Sequence, residues 1–320
     1  MRKQKNLLLM CNWLGDTFWA MQVIPAIKKE YPNTEIWVGV KPHSKDLLYG
    51  LIDKNRVIEL NSVISDRHRE KFSFKEYLSD IRKIKKEKFD LAIDLTGNRY
   101  SALFIFLSRI KKRIGLNLHK LSYLYTSKGK KFNNSKHLIN KPFETVSLLF
   151  DIDISQKLIP AKTYLSIADL QNGLKISLND KLALLMPGAG WKEKEWDTVN
   201  FVQCGQLLHQ KNYKVIVAGA EKERKLCTDI SELIDGSIIF IRSLKELIAL
   251  IPYIDLAVTN DSGPAHLLAA YDVKMITIFC AGTEPDKCGP IGKRVKIHQV
   301  EDQYSGLDKV LVTINNMVNL

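Results

Sequence analysis

The residue types best suited to chemistry fall together at Asn260-Asp261-Ser262-Gly263-Pro264-Ala265-His266, directly after the apolar residues Leu256, Ala257 and Val258. Asn, Asp and Ser are helix N-cap types, Gly263 lets a backbone approach a ligand closely, and Pro264 suits a first helical turn, where its missing N–H costs nothing. The spacing predicts a buried strand, a tight turn and a helix. Backbone N–H groups and the positive end of the helix dipole would then face the crevice at a strand's carboxyl end, an anion site with the Asp261 carboxylate beside it. An ordinary capped turn shows the same local pattern. His266 stands one turn into the helix, where a lone histidine is often structural.

Other turns add to this set. Pro187-Gly188-Ala189-Gly190 follows the apolar run 182–186 and is a phosphate-cradling type of turn, with Lys194 just beyond it. Gly219-Ala220-Glu221 ends another expected strand and offers a carboxylate that accepts from ribose or sugar hydroxyls. The combination is that of a nucleotide-sugar or dinucleotide pocket. No GxGxxG follows an expected strand and no P-loop lysine pattern occurs, which disfavours a nicotinamide enzyme. Asp16, in the turn Asn12-Trp13-Leu14-Gly15-Asp16-Thr17 after the first strand, has the place of a catalytic carboxylate and equally that of a helix dipole partner. Asp151-Ile152-Asp153 has metal-binding spacing but follows a helix instead of a strand, which counts against a metal role.

The elements that would hold these turns follow from the hydrophobic period. Strands are expected at 7–10, 36–40, 59–64, 89–95, 182–186, 214–218, 238–241, 256–259 and 274–279, and 114–116 is a short apolar segment. Helices are expected at 18–29, 74–88, 100–108, 137–150, 200–209, 222–233, 244–251 and 307–318, and 117–134 reads as a mobile basic loop. Strand and helix alternate in both halves, so the fold class is α/β: two Rossmann-like parallel-sheet domains, 1–165 and 175–300, facing a central cleft. Residues 301–320 are expected to send a final helix back onto the first domain.

With 45% hydrophobic and 26% charged residues, the 320-residue chain has the composition of a soluble two-domain protein. No apolar run approaches the ~18 residues of a membrane span, and the start lacks a signal-peptide pattern, so a cytoplasmic location is expected. The five cysteines are scattered without a CxxC pair, which indicates neither a disulfide framework nor a zinc site. Charge is uneven. Residues 1–160 hold 30 Lys and Arg against 16 Asp and Glu, a net of +14, and the remainder has a net of −1. Arg109, Lys111, Lys112, Arg113, Lys120, Lys128, Lys130, Lys131, Lys136 and Lys141 occupy one stretch with no acid. Such a block attracts nucleic acid, an anionic membrane or a phosphorylated substrate, or is simply a solvated surface. Only Tyr123, Tyr125 and Phe132 could stack on bases there, which counts against nucleic acid as a partner.

The motifs resemble those of glycosyltransferase family 9, the bacterial lipopolysaccharide heptosyltransferases. Residues 187–196 resemble the family's PGAxWxxKxW and residues 260–266 its NDSGPxH. Trp13-Leu14-Gly15-Asp16, which looks more like heptosyltransferase II, the stretch 89–97 with Lys112-Arg113-Ile114-Gly115, Gly219-Ala220-Glu221 and 278–292 match in family order. The resemblance implies a GT-B fold and inverting, metal-independent transfer of L-glycero-D-manno-heptose from ADP-heptose to the lipopolysaccharide inner core, without a cofactor. It implies Asp16 as general base and Lys194 as the cation on the leaving diphosphate, with N–H groups near Ser262 and Gly263 assisting. Gly188, Ala189 and Gly190 would line the donor site, Glu221 would hold the ribose, Asp261 the sugar hydroxyls, and His266 could reach the diphosphate. An anionic lipid acceptor at the inner face of the cytoplasmic membrane would give the basic stretch its use. Cys280 and Ala281 depart from the Gly-Pro pair more often found there. Another nucleotide sugar as donor, and a nucleotide-sugar epimerase of the same fold, are the alternatives.

Overall fold

Apolar runs flanked by polar turns build the sheets, and the computed structural model describes residues 3–62, 73–151, 158–177, 179–280 and 282–319 of the chain. Residues 63–64 of one expected strand, residues 152–153 of the Asp151-Ile152-Asp153 triplet and Ala281 lie outside the described residues. The chain forms two units, Met1–Ala161 and Lys162–Leu320.

The first unit runs β1 (Lys5–Met10), α1 (Leu14–Met21), α2 (Val23–Glu30), β2 (Glu35–Val40), β3 (Val57–Glu59), α3 (Phe74–Lys86), β4 (Leu91–Asp94), α4 (Arg99–Leu107), β5 (Lys112–Gly115), β6 (Ser127–Lys128) and α5 (Asn140–Val146). Its strands pair in parallel in the order β3-β2-β1-β4-β5-β6. Leu7, Leu8, Leu9 and Met10 are consecutive and fully buried, as a strand covered on both faces requires.

The second unit runs α6 (Ile167–Leu174), β7 (Lys181–Met186), α7 (Thr198–Gln210), β8 (Tyr213–Gly219), α8 (Arg224–Ser231), β9 (Ile238–Ile241), α9 (Leu244–Leu250), β10 (Leu256–Asn260), α10 (Gly263–Ala270), β11 (Lys274–Phe279), α11 (Pro285–Cys288), β12 (Val295–Gln299) and α12 (Leu307–Val318). Its parallel order, β12-β11-β10-β7-β8-β9, is the order of the first sheet read from the other edge. Each sheet therefore reverses its winding between its first and fourth strands, at β1/β4 and at β7/β10. Crevices outside the carboxyl ends of those strand pairs are where open α/β sheets bind ligands. The expectation of two Rossmann-like parallel-sheet units is met.

Five local expectations change. The strand expected at 59–64 is β3, which starts at Val57 and ends at Glu59, and residues 60–62 lie outside any strand. The helix expected at 18–29 is two, because Pro25 has no N–H to continue the ladder and Gln22 turns its amide to Phe18 and Ile159 carbonyls at 3.2 Å each. The helix expected at 137–150 is confined to α5. The stretch 117–134, expected to be a mobile loop, contains a 3₁₀ turn (Lys120–Leu124) and β6, with Ser122, Tyr125 and Phe132 buried. Finally, α12 buries Val310, Ile314 and Met317 in the core of the second unit, which replaces the expected return to the first.

Candidate active site

Asp16 stands in the first turn of α1, where the positive end of the helix dipole favours an ionised carboxylate. It is half-buried and lines a cavity of about 220 Å³ at the β1/β4 crevice, together with Trp13, Trp19, Asp94, Thr96 and Lys141. Aromatic faces beside a carboxylate and a cation suit a sugar bearing an anionic group. The turn after β4 in this wall is organised by Asp94, a residue that sequence reasoning missed. Its carboxylate is fully buried and accepts from the Thr96 and Gly97 N–H groups at 3.0 Å, the Ser101 hydroxyl at 2.7 Å and the Tyr125 hydroxyl at 2.8 Å. Burial pushes Asp94 up to about 6 against these four donors. The signal was an acid ending the buried strand Leu91–Asp94 just before Thr96-Gly97.

The basic stretch does not form one surface. Arg109, Lys111 and Lys112 line a depression with Lys85 and Lys88 at the amino ends of β4 and β5, the pole of the sheet away from Asp16. Arg113 is spent inside the fold, its guanidinium donating to the Leu124 carbonyl at 2.8 Å and to the Ile110 carbonyl. Lys136 pairs with Glu144 at 2.8 Å. Lys120, after β5, Lys128, the last residue of β6, and Lys130 and Lys131 beyond it are exposed at the carboxyl pole, and Lys141 is in the cavity wall.

In the second unit the β7/β10 crevice gathers most of the expected donor residues. Asn260, expected as a cap, is instead the last residue of β10 and ties the two motifs together: its amide donates to the Pro187 carbonyl at 2.6 Å and accepts the Trp196 N–H at 3.1 Å. Asp261 is buried and forms an ion pair with Lys194, whose Nζ also lies 4.1 Å from the centroid of the Trp191 ring. Ser262 has the extended N-cap conformation of α10, yet its hydroxyl caps nothing and is buried without a partner among the described residues. Gly263 opens α10, and His266, 6% exposed, lies inside its second turn. An uncapped helix start, an orphan hydroxyl and a nearby lysine form a site prepared for an anion.

The remaining donor residues divide. Gly188 is pressed against Glu223, and a Cβ there would fall 2.3 Å from the Glu223 carboxyl carbon. Ala189 is buried beside it, and Gly190 has open space. Glu223, not singled out by the sequence reading, caps the turn by accepting the Ala220 N–H at 2.8 Å. Glu221 faces solvent and binds Arg224 through two contacts of 2.7 Å, which holds its carboxyl below the ordinary range.

Two doubly wound parallel-sheet units form a GT-B type α/β architecture. Residues 78–314 match the sequence profile of glycosyltransferase family 9 (heptosyltransferase). The chain belongs to that family and is a glycosyltransferase. It is 28% identical over 291 residues to lipooligosaccharide heptosyltransferase 2 of Campylobacter jejuni, covering 86% of this chain and 81% of that one. Its fold is similar to that of the ADP-heptose lipopolysaccharide heptosyltransferase II structure of Escherichia coli, with a TM-score of 0.81, 18% identity and 99% of both chains covered. It is also similar to a family 9 glycosyltransferase structure from Veillonella parvula, with a TM-score of 0.84, 15% identity and 100% and 99% of the chains covered.

Proposed function

We propose that this chain transfers a heptose from ADP-heptose, with inversion and without a metal ion, to the inner core of a lipopolysaccharide precursor. The observation that carries the reading is the anion site of the second unit, where Lys194, Asp261, the Ser262 hydroxyl and the start of α10 meet at one crevice. Family membership and the heptosyltransferase names of the relatives support it.

Asp16 takes the proton of the acceptor hydroxyl as that oxygen bonds to the anomeric carbon of the donor sugar. The bond from that carbon to the diphosphate breaks on the opposite face, and ADP departs with the electron pair. Single displacement inverts the anomeric centre. Lys194 and the N–H groups at the start of α10 receive the charge growing on the diphosphate, which is electrostatic stabilisation built before the reaction starts. Asp261 exchanges its ion pair for sugar hydroxyls, and Glu221 leaves Arg224 for the ribose. Lys141, with Lys120, Lys128, Lys130 and Lys131, attracts the anionic acceptor at the membrane surface.

The test is incubation with ADP-heptose and heptose-deficient core lipopolysaccharide in the presence of a chelator, reading ADP release and the anomeric configuration of the product by NMR. Release of ADP with an inverted linkage is expected. Release only on adding a divalent ion, or only with another nucleotide sugar, contradicts the corresponding part of the proposal.

A further inference from the structure

The route from β1 to Asp16 is held at both ends. On one side, the Thr17 hydroxyl donates to the Met10 and Asn12 carbonyls at 3.3 Å each, and the Thr17 N–H bonds to the Trp13 carbonyl at 2.8 Å. On the other side stands Thr96, from the turn after β4. Its hydroxyl accepts the Cys11 N–H at 2.9 Å and donates to the Leu9 carbonyl at 3.2 Å. Its carbonyl accepts the Asn12 side-chain amide at 3.3 Å, and its own N–H lies 3.0 Å from both the Leu9 carbonyl and Asp94 Oδ1. One residue thus grips Leu9, Cys11 and Asn12, the stretch where β1 ends and the chain turns toward the base.

A single hydroxyl that accepts from one backbone group and donates to another cannot be replaced by an apolar side chain of the same shape. Thr96 is itself kept in place by Asp94, whose other bonds run to Gly97, Ser101 and Tyr125. A displacement of about 1 Å at a catalytic group can cost ~100-fold in rate, so a clamp of this kind acts on turnover before it acts on binding.

We propose that Thr96, anchored by Asp94, is the positioning residue for Asp16. The proposal rests on the reading of Asp16 as general base. The nucleotide site belongs to the second unit, so the clamp acts on kcat and leaves the donor KM alone.

The experiment measures kcat, donor KM and thermal midpoint for Thr96→Val, Thr96→Ser and Asp16→Ala, with ADP-heptose and the heptose-deficient acceptor. Thr96→Val is expected to lower kcat at least tenfold with the donor KM within twofold of native, and Thr96→Ser to restore kcat to within threefold. A Thr96→Val enzyme with native kcat overturns the proposal, as does a loss that Thr96→Ser does not relieve. Should Thr96→Val fail to fold, Asn12→Ala removes the bond to the Thr96 carbonyl together with a side chain that lines the cavity, and native kcat in that variant overturns the proposal instead. Asp16→Ala separates the two claims: full activity there removes the base assignment, whereas an inactive Asp16→Ala beside a native Thr96→Val removes only the clamp.

Discussion

Lys194 and Asp261 form an ion pair at the β7/β10 crevice, so under the proposed function a diphosphate bound there competes with Asp261 for the lysine. Replacing Asp261 with Asn frees the lysine at nearly unchanged shape. Asp261→Asn is therefore expected to bind ADP several-fold more tightly by calorimetry while transferring sugar at least tenfold more slowly; weaker ADP binding would contradict the exchange. Asp94 makes a second residue-level prediction. Burial raises it from an ordinary 3.8 to about 6, so the folded chain holds a proton that the unfolded chain has already lost between those values. Stability falls as pH rises through that window, by about 3 kcal/mol at ~1.4 kcal/mol per unit, and is flat above it. Asp94→Asn keeps an acceptor for Thr96 and Gly97 and removes the charge. Its stability relative to native should rise between pH 4 and pH 7 in denaturant titrations, and a constant difference would refute the assignment.

Among the elements, the connection from β5 to β6 shows most clearly what sequence alone withheld. Residues 117–134 look like a loop because Asn117, Gly129, Asn133 and four lysines break every apolar period. Order there comes from Tyr125, which reaches 31 positions back to Asp94, a contact that local pattern does not encode. Gly115 makes room for that ring: a Cβ would fall 2.4 Å from Tyr125 Cζ. Gly115→Ala is expected to cost ~1–3 kcal/mol in chemical denaturation. The central strands β1, β2, β4, β7, β8, β10 and β11 were legible because each is built on an apolar run, whereas β6 and β12, Ser127–Lys128 and Val295–Gln299, carry no such run and were not expected; the motif turns were legible because Gly, Pro and Asp stand directly after the apolar runs. Glu221 and Glu223 were not told apart, since only the fold shows that Glu223 lies over Gly188 while Glu221 pairs outward with Arg224. The partner of α12 was likewise hidden, its amphipathic face being compatible with either unit. Ile314→Ala, within the core of the second unit, should cost ~2–5 kcal/mol and lower the midpoint at which nucleotide protects that unit.

At the scale of the whole chain, charge and donor chemistry are segregated: the first unit has a net charge of +14 and the second −1. Among the described residues no helix is long and apolar enough to cross a membrane. An acceptor carried by a lipid surface would be captured by the carboxyl-pole lysines. Charge reversal at Lys130 and Lys131 is expected to reduce sedimentation with anionic phosphatidylglycerol vesicles at 50 mM salt, with the difference shrinking at high salt as screening grows. Equal binding of native and reversed proteins would contradict a role of these lysines at a membrane surface. The central claim, that the first unit supplies the base and the second the leaving-group site of one heptosyl transfer, is tested most directly by ADP release from ADP-heptose in the presence of heptose-deficient acceptor. The native chain should release ADP, and Asp16→Ala at least ~100-fold more slowly, the usual contribution of a general base. No release from the native chain, or native release from Asp16→Ala, would contradict it.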